Sequence, residues 1–282
     1  MRLNSTSMFA SALSALKQNQ SAMEKAMKRL STGLRINSAA DDPSGLAISE
    51  KMRSQIRGLK QAQNNVQDAI SFLQTGEGAL QQTTDILHRM RELTIKAQNS
   101  GVLDESQKTS IAVELASLRD EIDRIAKTTT FNTKHLLDGS LSGENSAVFQ
   151  IGASSEECDR ISVSIEDMSS TGLSTTSGRF SIDISDRESS NQTLKNIDYA
   201  LEKVTMQRNY MGATQNRLEY TMNNLETTEE NLTAAESRIR DADMAEEIIN
   251  YTKSAMLAKV AMAMIAQARQ HYQSVLSLLD SL

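Results

Sequence analysis

Proline, cysteine and aromatic residues are scarce in this sequence. The 282 residues include one proline, one cysteine and no tryptophan, and aromatic residues make up 4% of the chain. Because Cys158 is alone, it can form no intramolecular disulfide and no cysteine cage for a metal, and we expect a free thiol. The scarcity of aromatic residues and proline argues against a compact α/β enzyme core. The many alanine, leucine, glutamine and methionine residues favour long helices packed side by side.

A basic surface and a long hydrophobic run are also missing. The formal net charge is −6, which argues against nucleic acid as a partner. No apolar run reaches the length of about 18 residues that a membrane-spanning helix needs, so membrane insertion is not expected. Residues 1–20 lack the apolar core of a cleaved secretion signal. Composition alone therefore predicts a soluble cytoplasmic protein.

The common catalytic motifs do not occur in the sequence. It contains no HExxH helix, no glycine-rich phosphate loop and no GxSxG motif. Adjacent carboxylates are frequent, but such pairs on helices and loops are usually solvated. The three histidines lie far apart and lack metal-ligand spacing: His88, His135 and His271. We therefore expect a protein that is not an enzyme and that uses no cofactor or metal.

Apolar residues recur at every seventh position along two long segments. This spacing, between about residues 44 and 98 and again between about 197 and 239, keeps an apolar stripe on one helix face and requires a partner helix. The first helix would be about 80 Å long at 1.5 Å per residue. The pattern predicts packing rather than chemistry. The predicted rod seam consists of Leu59, Val66, Leu73, Leu80, Leu87, Val204, Met211, Leu218, Leu225 and Leu232.

A shorter helix is predicted from about Glu105 to Thr128. Its apolar residues alternate by four and three from Ile111 to Ile125, which places them on one face. Three helices that all need covering indicate a mainly α fold, built as a long antiparallel helical bundle or coiled coil.

The centre of the chain has a different composition. Residues from about 132 to 190 are rich in glycine, serine and threonine. Ile161–Ile165 and Phe180–Ile184 alternate apolar and polar residues, as half-buried strands do, and turn residues lie between them. We therefore expect these two segments to form a small β-hairpin at the end of the bundle.

Both ends of the chain carry apolar helical faces that lack an obvious cover. Apolar residues spaced by three and four form one face near each terminus, and many alanines lie between them near the C-terminus. Each face has no intramolecular cover except the other, and exposed apolar faces of this size normally mark association surfaces. The predicted packing residues are Phe9, Leu13, Leu16, Met23, Met27, Leu30, Ile248, Met256, Val260, Met264, Leu276 and Leu279.

Three stretches resemble the sequence signatures of bacterial flagellins. LSTGLRINSAADDPSGLAIS at 30–49 resembles the N-terminal signature, and AESRIRDADMAEE at 235–247 resembles the C-terminal one. QSVLSLL at 273–279 is similar to the usual flagellin ending. The resemblance covers about residues 1–140 and 190–282, and two long motifs in the correct order make it specific. The sequence is thus identified as a member of the flagellin family, as a short form without large variable outer domains.

The resemblance implies a structural subunit that polymerises with copies of itself into the flagellar filament for motility. Flagellins are exported unfolded by the flagellar type III apparatus without a cleaved signal, so the implied location is the extracellular filament. The filament cap, hook-junction proteins and an export chaperone are further implied partners. A hook–filament junction protein of the same superfamily is the alternative, although the full C-terminal signature favours the filament subunit. A signalling rod such as a chemoreceptor fragment would need membrane spans.

The resemblance also implies a division into domains. Residues 1–43 and 241–282 are expected to pair as an inner, core-tube domain that becomes ordered on assembly. Residues 44–140 and 191–240 are expected to form an outer rod domain. Residues 141–190 form the short central segment of strands and loops.

A joint between the two domains is expected near residues 33–45 and 239–244. Pro43 disfavours a helical conformation at the residue before it, and a glycine two residues later adds conformational freedom. The alternative is an ordinary helix break in which an aspartate caps the next helix. The predicted joint residues are Asp41, Asp42, Pro43 and Gly45.

Flagellins are often recognised by Toll-like receptor 5 through a patch on the rod helices. The segment LHRMREL at 87–93 resembles that patch, with Arg89 and Leu93 at matching positions, and Glu114 matches the third. His88 stands where recognised members commonly have glutamine. The alternative is that Arg89 and Glu114 are solvated charges that contact neighbouring subunits.

Overall fold

Among the residues that it describes, the computed structural model contains five α-helices and two small antiparallel sheets. The structure describes residues 2–99, 104–174 and 180–280, with side chains from residue 9 to residue 271 within these ranges and at 273 and 274. The helices are α1 (Arg2–Thr32), α2 (Pro43–Ala97), α3 (Glu105–Thr128), α4 (Arg187–Arg240) and α5 (Met244–Asp280). Among the described residues, none of these helices is both long enough and apolar enough to cross a membrane. The mainly α fold predicted from the sequence is confirmed.

The ends of the helices carry the residues that helix termini favour. Gly33, at a φ of +71°, follows α1, and its N–H donates to the carbonyl of Arg29 at 2.8 Å. Glycine adopts this left-handed conformation without a steric cost, which is why it often ends a helix. Pro43 is the first residue of α2, where its missing N–H costs nothing. Asp104 and Gln107 form a capping box that begins α3.

Two short hairpins follow α3. β1 (Thr130–Phe131) pairs with β2 (Lys134–His135), and β3 (Ala147–Gln150) pairs with β4 (Arg160–Val163), both antiparallel. In the second hairpin Phe149 lies opposite Ile161. Short 3-10 turns lie at Gly143–Asn145 and Glu157–Asp159.

The predicted strand at Phe180–Ile184 is wrong. This segment has no strand structure, and the partner of β4 is Ala147–Gln150 instead. The Phe180 N–H donates to the carbonyl of Ser170, and the Thr193 hydroxyl accepts from the Asp183 N–H and donates to the Asp183 carbonyl. The backbone is therefore satisfied by a loop and a side chain. The alternating pattern reflects the burial of Phe180 and Ile184.

The chain divides into two compact units. One contains residues 1–56 and 230–282, and the other contains residues 57–229. The boundaries between these units lie within α2 and α4. The domain division expected from the sequence, at residues 43 and 241, stays a prediction.

In the second unit, α2 and α4 run antiparallel. Lys60 pairs with Glu229 at 3.3 Å near the start of this part of α2, and Arg91 pairs with Asp198 at 2.8 Å near its end. The apolar stripes of the two helices are buried between these points. Val66, Leu73, Leu80, Leu87, Val204, Met211 and Leu218 are at most 1% exposed, and Leu59 and Leu225 are each 8% exposed. Leu232, in the first unit, is half-buried.

Residues outside the two stripes attach the other elements to this pair. The ring of Phe72 on α2 makes edge contacts with Phe131 of the first hairpin and Phe149 of the second, with ring centroids 5.8 and 5.3 Å apart. On α4, the Lys203 ammonium donates to the Gly172 carbonyl at 3.0 Å and pairs with Glu166 at 3.1 Å. The second unit is therefore one core with the hairpins and loops packed on the helices.

We predict that Leu218→Ala lowers the free energy of unfolding by about 2–5 kcal/mol, because it leaves a cavity in a fully packed site. Leu218 is 0% exposed, whereas Met206 on the same helix is 59% exposed. The matched control Met206→Ala should change the stability by less than about 0.5 kcal/mol. Urea unfolding followed by circular dichroism measures both. Equal effects of the two substitutions would contradict the assignment of Leu218 to the seam.

Candidate functional site

The terminal helices α1 and α5 pack against each other in the first unit. The Arg29 guanidinium, in the last turn of α1, donates to the Glu247 carboxylate, in the first turn of α5, at 2.8 Å. The C-terminal end of α1 therefore lies beside the N-terminal end of α5, and the two helices run antiparallel. Among their described side chains, the buried apolar ones are Ala26, Ala258 and Ala261.

Many large apolar side chains of these two helices are exposed to solvent. Met256 is 62% exposed and Val260 is 58% exposed, and Leu13 on α1 is 51% exposed. Further exposed apolar side chains are Met27, Met244, Ile248, Ile249, Leu257, Met262 and Met264. Phe9, Leu16, Met23 and Leu30 are half-buried. The predicted residues Leu276 and Leu279 lie outside the described side chains.

The segment between α1 and α2 is held by two adjacent carboxylates. Asp42 caps α2: its carboxylate accepts from the Gly45 N–H at 3.0 Å and from the Ser44 hydroxyl at 2.8 Å. The Asp41 carboxylate accepts from the N–H and the hydroxyl of Ser38 at 3.1 and 3.0 Å. Asp42 is therefore a helix cap, as the alternative interpretation of this segment expected. A helix cap at this position is compatible with a joint between the two predicted domains.

Gly45 lies against this cap. A Cβ atom added there would stand 2.8 Å from Cδ1 of Ile36 and even closer to the Asp42 carboxylate. Ile36 is 1% exposed, so it has little room to move. Any side chain at position 45 would therefore disturb the start of α2.

The connection between α4 and α5 is bonded to the connection between α1 and α2. The Arg35 N–H donates to the Arg240 carbonyl at 2.7 Å, and the Ala242 N–H donates to the Gly33 carbonyl at 2.9 Å. The Arg240 guanidinium also reaches the Glu50 carboxylate on α2 at 2.9 Å. These bonds join the two predicted joint segments, 33–45 and 239–244, within one unit.

Sequence reasoning missed the four charged residues that link these segments. Their partners lie about 190–220 positions away along the chain, and no local pattern pairs residues at such a distance. The one available signal was a basic residue in the last turn of α1 and acidic residues in the first turn of α5, where each charge opposes the helix dipole. The missed residues are Arg29, Glu50, Arg240 and Glu247.

Hydrogen bonds lower the pKa of three carboxyl groups in this region. The pKa of Asp42 is lowered chiefly by the N–H of Gly45, and that of Asp41 chiefly by the hydroxyl of Ser38. The pKa of Glu50 is lowered chiefly by the hydrogen bond from Arg240. Each group thus favours its charged form more strongly in the folded protein than in the unfolded chain.

The predicted recognition patch lies in the second unit. The Arg89 guanidinium donates two hydrogen bonds to Oε1 of Glu114, at 2.9 and 3.2 Å, and a weaker one to Glu92 at 3.4 Å. The bond to Glu114 is the main reason that the pKa of Arg89 is raised. Leu93 is 3% exposed, so it supports the helix from beneath and offers no exposed side chain. The patch itself stays a prediction.

The lone thiol lies apart from these residues. Cys158 is exposed, and its Sγ lies 3.5 Å from the Glu156 carboxylate. The hydrogen bond to Glu156 raises the pKa of the thiol, which disfavours the reactive thiolate. Within the described residues, no group of three or more His, Cys, Asp or Glu side chains could hold a metal ion.

Two family models match most of the chain. The model of the bacterial flagellin N-terminal helical region matches residues 3–142, and that of the C-terminal helical region matches residues 194–279. The flagellin of Bacillus subtilis (strain 168) is 46% identical over 305 aligned residues, covering 99% of this chain and 100% of the relative. The flagellar filament 33 kDa core protein of Treponema phagedenis is 44% identical and covers 98% of both chains.

Solved structures agree with this assignment. The crystal structure of Bacillus cereus flagellin aligns with a TM-score of 0.50 at 31% identity and covers 61% of this chain and 94% of that one. A protein from Vibrio parahaemolyticus described as flagellar hook-associated aligns with a TM-score of 0.62, but at 14% identity it shows a shared fold only. The chain therefore belongs to the family of bacterial flagellins, the structural subunits of the flagellar filament.

Proposed function

We propose that the exposed apolar faces of α1 and α5 are the surfaces through which this subunit joins its neighbours in the inner wall of the filament. The observation that carries this proposal is the row of large apolar side chains on α5 that are about half-exposed or more, from Ile248 to Met264. The alanine contact with α1 leaves that row uncovered. Burying such a surface among identical copies supplies free energy that a single chain does not have.

The segments 33–45 and 239–244 act as the joint between this inner part and the outer rod helices. This role is supported by the backbone hydrogen bonds between Arg35 and Arg240 and between Gly33 and Ala242, which hold the two connecting segments together. The Glu50–Arg240 pair fixes them to the start of α2. The proposed joint thus fixes the two connecting segments and the start of α2 to one another within the first unit.

The chain reaches the filament by secretion through the flagellar export apparatus and acts without catalysis. Membership of a family of flagellar filament subunits supports this. An export chaperone, the filament cap and the hook-junction proteins are its proposed partners besides copies of itself. Growth on seeds separates a filament subunit, which elongates indefinitely, from a junction protein, which stops after a few copies.

As an isolated subunit, the chain binds Toll-like receptor 5 through Arg89 and Glu114. The exposed fractions of these two side chains, 53% and 44%, make the pair accessible to a partner. The same residues would be covered by neighbouring subunits in the filament.

For the assembly surface, we predict that Val260→Glu slows elongation on filament seeds by about tenfold or more, because it places a charge in an apolar contact. Val148 in the second hairpin is 59% exposed, close to the 58% of Val260, so Val148→Glu is the matched control and should elongate normally. Light scattering with sonicated filament seeds measures the rates. Removal of residues 2–30 or 243–282 should abolish growth while circular dichroism still shows helix. A truncated chain that still builds filaments would contradict the proposed role.

For the joint, we predict that its stabilisation by Asp41, Asp42 and Glu50 is complete above a pH of about 5.5, which lies above the unfolded pKa values of all three groups. Because the folded pKa values are lowered, this stabilisation is lost as the pH falls through them. Hydrogen exchange, corrected for the intrinsic rates, should show loss of protection at the Gly45 amide between pH 6 and pH 3. Asp42→Asn keeps the hydrogen-bond acceptor without a titrating group and should flatten this dependence. An equal loss in that variant would assign the effect to other groups.

For the recognition patch, we predict that Arg89→Ala lowers receptor signalling by the isolated subunit by about tenfold or more, as loss of an interface arginine commonly does. Arg91 is paired in a similar way, with Asp198 at 2.8 Å and 44% side-chain exposure, so Arg91→Ala is the matched control. A reporter-cell assay on subunits kept below the assembly concentration measures both. The proposal does not survive if the two variants signal equally.

A further inference from the structure

The buried ion pair of the terminal helices has a role that alanine packing does not supply. Only 9% of the Glu247 side chain is exposed, and it lies 2.8 Å from Arg29, whose side chain is 32% exposed. A carboxylate is costly to bury unless a partner compensates its charge. Within the described side chains of α1 and α5, Glu247 is the one charged group that is buried.

The pair lies on the same faces as the alanine contact. Glu247 precedes Ala258 by 11 residues, about three helical turns, and Arg29 follows Ala26 by three residues, so each charge shares a helix face with a buried alanine. The ion pair is therefore part of the seam between the two helices rather than a bridge across its edge.

The apolar contacts of the two helices do not by themselves exclude a slip. The larger half-buried side chains of α1 recur every seven residues, at Phe9, Leu16, Met23 and Leu30. A slip by about two helical turns therefore places each of these side chains near the position of the next, so apolar packing distinguishes the two registers only weakly.

We propose that the Arg29–Glu247 ion pair fixes the register of α1 against α5, and we call this pair the register pin. A slip would separate the two charges and leave the Glu247 carboxylate in the helix contact without its partner, and apolar side chains cannot compensate a buried charge. Polar groups buried in an apolar helix contact are known to set register in this way. The pair also lies at the C-terminal end of α1 and the N-terminal end of α5, where each charge is favoured by its own helix dipole.

The register of the two helices determines which exposed residues of α5 lie next to which exposed residues of α1. This inference rests on the proposed role of those faces in assembly. Because a neighbouring subunit would contact both helices at once, their combined surface is correct in one register only. Arg29 and Glu247 are thus positioning residues for assembly, and they need not touch a neighbouring subunit.

The test is a double-mutant cycle of charge reversals, Arg29→Glu and Glu247→Arg, in the full-length chain. Each single reversal places like charges together and should slow seeded elongation by about tenfold or more. The double reversal restores an opposite pair and should recover to within about threefold of the unchanged chain. The recovery is incomplete because the restored charges oppose the helix dipoles.

Lys28→Glu and Glu246→Arg provide the matched control, since these exposed residues carry the same charges one position away on each helix. The double variant of this control pair should elongate at the rate expected if the effects of its two single substitutions simply add. Glu247→Gln keeps the volume and the acceptor and should elongate faster than Glu247→Arg, so a conclusion is reached even if a reversal disturbs folding. Circular dichroism checks that helix content is retained.

Two failures can be told apart. If the unchanged chain does not grow on seeds, the proposed function fails. If it grows normally but the double reversal is as slow as the slower single one, or the neighbouring pair couples as strongly, the register pin is overturned and the assembly role stands.

Discussion

Mutual burial of apolar side chains repeated every seven residues is the interaction on which the rest of this structure depends. In the second unit, the stripe of α2 and the stripe of α4 cover each other so completely that residues such as Val66 and Leu218 are inaccessible to solvent. The hairpins and loops of the central segment therefore need only small areas of contact with these two helices. The Phe72 ring contacts both hairpins, and the Lys203 ammonium donates a hydrogen bond to the loop before α4. The centre of the chain is thus stable through the helices and not through its own short sheets.

The terminal helices use apolar residues in the opposite way. The buried apolar side chains described on α1 and α5 are alanines, while many larger ones, such as Met256 and Val260, are exposed. A single chain thus contains one helix pair with a completed core and another with an uncovered face. The uncovered face is the surface that the proposed contacts with copies of this chain would bury.

Charged residues supply what the small side chains of the first unit cannot. Glu247 is compensated by Arg29 within the helix contact, and Arg240 reaches Glu50 on α2. These interactions contribute little net stability compared with hydrophobic burial, but they are strongly directional. The aspartate that caps α2 acts similarly, because its hydrogen bonds determine where that helix begins. The first unit thus contains directional polar contacts, whereas the second contains a continuous buried apolar stripe.

The sequence by itself determined the long helices, their ends and the family. Apolar periodicity, a glycine after α1 and a proline at the start of α2 act locally, so they can be read without coordinates. Periodicity could not distinguish a buried strand from a buried extended segment, and so the strand expected at Phe180–Ile184 was wrong. Only the tertiary structure decided that Leu93 is buried, that the most deeply buried apolar side chains described on α1 and α5 are alanines, and that Arg29 meets Glu247. Each of these depends on residues far apart in the chain, whose proximity is set by packing and leaves no trace in local spacing.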